Sequence, residues 1–163
     1  MPDPYNYTFD KDTDSYNFIT KNNIEYKIAF IVDETLNIAS VVQIENIYQI
    51  IIEKITDKKE CYDSSFSKTI EHIVIAFFAN VQNSLIYVCS QDDEKAEKRF
   101  KVFNRWYDNC TLEFVTKVDN VINFESDDIT YTLFTSLLYH VENPNIEYIL
   151  EAYYKIKDAV NDK

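Results

Sequence analysis

The sequence predicts an α+β protein, a mostly antiparallel sheet with helices packed on one face, in the order ββββ-α-β-α-ββ-α. Three observations lead to this class. Apolar and aromatic residues alternate with period 2 through the first third and again at 129–139, as half-buried strands do. Three other stretches repeat apolar residues at spacings of three and four, as helices do. Turn signals separate these runs, and none is glycine, because the 163 residues contain no glycine at all.

Taken in order, Tyr5, Tyr7 and Phe9 alternate, as do Tyr16 and Phe18, with Asp12-Thr13-Asp14 as the turn between them. Lys21-Asn22-Asn23 is the next turn, since asparagine tolerates left-handed backbone when glycine is missing. Ile24, Tyr26, Ile28, Phe30 and Val32 form the most regular alternation. After a less regular stretch at 33–43, the isoleucine-rich 47–55 completes a four-stranded meander. Asp63, Ser64 and Ser65 are candidate caps for a helix carrying Phe66, Ile70, Ile73, Val74, Phe77, Phe78 and Val81. Residues 85–89 are apolar on both faces, as a central strand requires. Asp92 opens a helix over 92–108 with its acids in the first turn, matching the helix dipole. Strands follow at 112–124 and 129–139, joined by Ser126-Asp127-Asp128. Asn143 as cap and Pro144 as first helical residue start the last helix, whose apolar face is Ile146, Ile149, Leu150, Tyr153 and Ile156. No composition break divides the chain, so a single domain over 1–163 is expected.

The missing glycine also excludes chemistry. Walker loops, dinucleotide fingerprints and nucleophile elbows all need glycine at fixed places. Net charge is −12, which repels nucleic acid and anionic membrane over most of the surface. Cys61, Cys89 and Cys110 are odd in number and widely spaced, with no CxxC pair and no histidine at a ligand spacing. They read as small buried hydrophobes in a reducing, cytoplasmic setting. The N-terminus does not resemble a signal peptide, and no segment approaches the length of an apolar membrane span. No metal and no cofactor is implied.

The helix 92–108 gathers what is scarce elsewhere. Both arginines, Arg99 and Arg105, and the only tryptophan, Trp106, lie in it. Ala96, Phe100, Phe103 and Tyr107 form one stripe, facing the core. Arg99, Val102 and Trp106 form a second; Lys98, Lys101 and Arg105 form a third. Arginine binds carboxylate or phosphate in bidentate fashion, and Arg with Trp is what interface hot spots favour. Lys98, Arg99, Lys101, Arg105 and Trp106 are therefore the candidate binding residues. The plainer reading pairs both arginines with sheet-edge carboxylates and buries Trp106 in the core.

Tyr5-Asn6-Tyr7-Thr8-Phe9, the segment from Thr20 to Tyr26, Asn83-Ser84-Leu85-Ile86-Tyr87-Val88-Cys89 and the run from Arg99 to Tyr107 resemble an uncharacterised family of small Bacteroidota proteins, a domain of unknown function, over nearly the whole chain. The resemblance implies a bacterial source and a cytoplasmic setting. It implies no activity and transfers no catalytic residue.

Catalytic arrangements are sparse. His72 lies on the apolar helix beside Glu71 and reads as a rim residue. His140 ends a strand, but Ser136 is nearly 14 Å away along it at about 3.4 Å per residue, so the two form no nucleophile–base pair. A pairing of Cys89 with His140 depends on tertiary contact. The acidic pairs Asp33-Glu34, Asp92-Asp93 and Asp127-Asp128 fall at turns or helix starts, where acids have structural work. The expectation is a non-enzymatic interaction or regulatory protein that binds another macromolecule, expected to be a protein, through the Arg/Trp helix and acidic surfaces, with homodimerisation if the first meander exposes its edge strand. The alternative is a small metal-independent RNA-binding or RNA-cleaving protein of toxin–antitoxin or defence type, using Arg99, Arg105 and His140. A ligand-binding module with an aromatic pocket is a third class, which the 13 tyrosines permit.

Overall fold

A computed structural model describes residues 2–60, 63–90, 96–110 and 112–161. The elements are β1 (Thr8–Asp10), β2 (Ser15–Ile19), β3 (Glu25–Val32), a 3-10 helix (Thr35–Ala39), β4 (Ile47–Lys54), α1 (Ser64–Phe77), β5 (Ser84–Ser90), α2 (Ala96–Asp108), β6 (Val115–Ser126), β7 (Ile129–His140) and α3 (Ile146–Asn161). The α+β class and the element order are those the sequence predicts. Hydrogen bonding orders the strands β1-β2-β3-β4-β5-β7-β6. Neighbours run antiparallel, except that β4 pairs parallel with β5. For β3 and β4 the direction follows from Asp33 N donating to Ile47 O and Ile55 N to Glu25 O, each at 2.8 Å. A parallel pair needs a crossover, and α1 supplies it.

Two compact units are distinguishable. The first combines residues up to Ile31 with Ile50–Ala79. Its strands put their aromatic residues on one face: Phe9 pairs with Tyr16, Tyr16 with Ile28, and Phe18 with Tyr26. Helix α1 covers that face. Phe66 approaches Tyr26 at 4.6 Å, and Phe77 stacks on Phe30 at 4.2 Å. Ile73 and Val74 are fully buried. Asp63 is the cap: its Oδ1 accepts from Ser65 N and Phe66 N, and its Oδ2 accepts from the Tyr5 phenol at 2.6 Å. The Tyr5 amide donates to Thr69 Oγ1, which ties the N-terminal segment to the same helix.

The second unit combines Val32–Gln49 with the chain from Asn80 onward. One core joins Leu36 of the 3-10 helix, Ile44, Ile47, Ile86 of β5, Ile122 of β6, Leu137 of β7 and Ile149, Ala152, Tyr153 and Ile156 of α3. The Tyr153 phenol meets Thr135 Oγ1 at 2.8 Å, so the one polar tip in this core is satisfied. Asn143 and Pro144 form a turn ahead of α3, which becomes regular at Ile146. Asn143 Oδ1 accepts from Asn145 N, and its Nδ2 donates to Ser84 Oγ and Gln82 O. The asparagine therefore anchors the turn to β5 as well as leading into the helix.

The expectation that the helices lie on one face is corrected in this unit. Alternation sends Leu133, Thr135 and Leu137 of β7 to one side, and Phe134, Ser136 and Leu138 to the other. Helix α3 packs on the first set through Tyr153 and its neighbours. Helix α2 packs on the second, with Phe100 5.4 Å from Phe134 and Phe103 stacked on Tyr87, which is paired with Ser136. The reason is the two-sided apolar character of β5 and β7: central strands with two apolar faces need cover on both.

Glycine-free turns use Asn and Asp throughout. Positive φ occurs among the described residues only at Asp14, Asn23, Asn46, Asp127 and Asp128. These two residue types reach the left-handed region at least cost after glycine. Asp127 and Asp128 together make a two-residue hairpin turn with positive φ at both positions, a type I′ geometry usually built with glycine.

Candidate functional site

Helix α2 is described over Ala96–Asp108; the expected opening turn at 92–95 lies outside the described residues, as does Cys61. The three- and four-residue spacing of Phe100, Phe103 and Tyr107 turns these rings to the sheet. Phe100 is buried against Phe134. Phe103 lies between Tyr87 at 4.2 Å and Trp106 at 5.9 Å, stacked on both. The Tyr107 phenol donates to Val115 O at 2.9 Å. Burial is the first cause that raises the Tyr107 phenol above the usual tyrosine range.

The opposite face carries the candidate residues. Lys98, Arg99, Lys101 and Arg105 are exposed, and Val102 between them is 55% exposed. Lys98, Lys101 and Arg105 are successive helical neighbours, about 5–6 Å apart at Cβ. Lys101 pairs with Glu97 one turn earlier at 3.3 Å, a solvent-exposed pair that contributes about 0.3–0.5 kcal/mol. Trp106 is half-buried, so it neither joins the core fully nor projects freely. Arg99 lies near the Tyr87 phenol. Burial and the Cys89 thiol push that phenol up, and the Arg99 charge pulls it partly back. Arg105 stands in the last turn, where a cation suits the helix dipole.

Beneath α2 is a polar cluster that the spacing of residues does not reveal. Ser136, fully buried, donates to Asp119 Oδ1 at 2.7 Å. Lys117 Nζ reaches the same carboxylate oxygen at 2.6 Å and lies 5.6 Å from the Tyr107 ring centroid. Lys117 and Asp119 share a strand face, and β6–β7 register sets Asp119 opposite Ser136. The cluster locks Tyr107, and with it the end of α2, to the sheet. Only the i, i+2 spacing of Lys117 and Asp119 on one strand is a sequence signal for it.

The histidines stand apart. His72 is exposed on α1. His140 Nδ1 accepts from Glu142 N, and its ring stacks on Phe114. Register places Cys89 opposite Phe134, six residues from His140, or about 20 Å along β7. Cys89 and His140 are therefore not neighbours, and Ser136 is turned to Asp119 rather than to His140. Cys89 is buried and Cys110 half-buried. Among the described residues no group of three His, Cys, Asp or Glu side chains is placed to hold a metal ion. No helix among them is long and apolar enough to cross a membrane.

The fold and this helix define a small α+β protein with a cationic, aromatic strip on an otherwise acidic chain. Residues 62–155 match the family of unknown function DUF6169, and the chain belongs to that family. The matched span holds α1, all of β5, α2, β6 and β7, and most of α3. No curated protein and no solved structure matches the chain.

Proposed function

We propose that this chain is a non-enzymatic binding protein of the bacterial cytoplasm that engages an acidic surface of another protein through the outward face of α2. The observation that carries this reading is the common exposure of Lys98, Arg99, Lys101, Val102 and Arg105 along one helix of a chain with net charge −12. Such a strip focuses attraction for negative charge against a repelling background. Arginine supplies forked contacts to carboxylates, and Val102 beside the half-buried Trp106 gives the strip an apolar centre. The acidic remainder disfavours an extended nucleic-acid backbone, so a protein partner is the better match. The buried free thiol of Cys89 suits a reducing compartment.

The test is capture of the tagged chain from bacterial lysate, with and without nuclease, beside an Arg99→Glu/Arg105→Glu variant whose fold is checked by circular dichroism. The expected result is a protein partner that survives nuclease, weakens with added salt and is lost in the variant. A partner that disappears with nuclease overturns the reading in favour of RNA. A partner retained by the charge-reversed variant removes α2 from the account.

A further inference from the structure

The strand order leaves two edges, β1 and β6. They are built differently. β1 is three residues long, and shortness is one way natural sheets protect an edge. β6 is twelve residues long and paired with β7 from Val115 to Ser126 without interruption, so no bulge breaks it. It contains no proline. Its one lysine, Lys117, is folded onto Asp119 with its side chain only 8% exposed, and so does not guard the edge. Shortness, proline and a bulge are therefore all missing as protections of this edge.

The hairpin fixes which backbone groups face outward. A two-residue turn makes Ser126 and Ile129 a hydrogen-bonded pair, and at the other end Val141 N donates to Phe114 O. Alternation then commits the even-numbered residues of β6 to β7. The N–H and C=O of Lys117, Asp119, Val121, Asn123 and Glu125 point away. Val115 belongs to the same set, but its carbonyl is held by Tyr107. Asp119, Val121, Asn123 and Glu125 are all exposed; the Val115 N–H is turned to Leu112 O, and among the described residues no backbone group reaches the edge from Lys117 to Glu125.

We propose that β6 pairs antiparallel with β6 of a second copy of this chain, about a two-fold axis at Val121, extending the sheet across the dimer. In that register Val121 faces itself, Asp119 faces Asn123 and Lys117 faces Glu125, the last two pairs each occurring twice. Facing residues stabilise an antiparallel pair when apolar or opposite in charge, and oppose it when alike. Moving the axis to Asp119 sets that carboxylate against its own copy. Moving one step toward the turn sets Asp119 against Glu125. Moving one step the other way requires the Val115 carbonyl that Tyr107 occupies. Of these four registers, the one about Val121 is self-complementary, as an isologous interface requires. The argument is independent of the partner bound by α2.

The test is sedimentation velocity of the full chain from low to high micromolar concentration, in physiological salt. The expected mass rises from 19.3 kDa toward twice that value. Val121→Pro removes an outward N–H while sparing the ladder to β7, and is expected to stay monomeric with its circular dichroism spectrum unchanged. Val121→Asp sets two carboxylates against each other at the two-fold axis and is expected to weaken the dimer about tenfold. In the wild-type chain, amide exchange at Asp119, Val121 and Asn123 is expected to slow as concentration rises; this readout stands even if the proline variant fails to fold. A monomer at every concentration, a dimer indifferent to Val121→Pro, or edge amides unchanged on dimerisation overturns the proposal.

Discussion

Replacing Asp63 with alanine removes two restraints at one point, and their sizes follow from the contacts. Asp63 caps α1 through Ser65 N and Phe66 N, and it accepts the Tyr5 phenol at 2.6 Å. Loss of a helix cap costs about 1 kcal/mol. Loss of the phenol's acceptor in a part-buried site adds about 1 kcal/mol. The expected destabilisation is therefore about 2 kcal/mol, read from urea unfolding followed by circular dichroism. Asp63→Asn keeps a capping oxygen and should cost about half as much. Tyr5→Phe leaves the Tyr5 amide on Thr69 Oγ1 and deletes only the hydroxyl, so it isolates the second contribution. In the Asp63→Ala background Tyr5→Phe should cost almost nothing, which gives a coupling of about 1 kcal/mol in the double-mutant cycle. A total loss below about 0.5 kcal/mol, or a Tyr5→Phe cost that is equal in both backgrounds, refutes this account of how the N-terminal segment is held.

Two further outcomes rest on other residues. Asp128 is exposed with φ of 63°, so Asp128→Ala should lose about 1 kcal/mol through backbone alone while Asp128→Gly should not, as thermal melts would show. Tyr5, Tyr16 and Tyr107 all have phenols raised by burial first, so the folded chain holds these protons to higher pH than the unfolded one. Their contribution is whole below pH about 10 and is lost as pH climbs through the raised folded-state values. A urea midpoint that stays level or rises from about pH 9 to about pH 11 would contradict that sign.

Much of this architecture is legible in the residues. The period-2 runs at 24–32 and 129–139 become β3 and β7, and the spacing of Phe100, Phe103 and Tyr107 sets the inward face of α2 because helix geometry leaves no choice. The exposure of Lys98, Arg99, Lys101 and Arg105 follows from the same rotation. What a local pattern misses is anything fixed by register. The Lys117–Asp119–Ser136 cluster exists because Asp119 falls opposite Ser136, 17 residues away along the chain. The separation of α2 and α3 onto opposite faces shows only once β5 and β7 are paired side by side with both faces to cover. Trp106 illustrates the limit within one helix: its place beside Phe103 makes it half-buried, a compromise between two stripes that spacing alone divides cleanly.

The glycine-free turns also bear on how the chain ages. Asparagine and aspartate backbones rearrange when the following amide nitrogen attacks the side chain, and a small following residue speeds that closure. Here Asn23 precedes Ile24, Asn46 precedes Ile47 and Asp128 precedes Ile129, each β-branched and stiff beside the bond that must bend. The Ile24 nitrogen is further occupied in donating to Thr20 Oγ1. These three turns are thus shielded by their neighbours, whereas Asp14 precedes Ser15 and Asp127 precedes Asp128, so covalent wear in this glycine-free chain is expected first at Asp14 and Asp127.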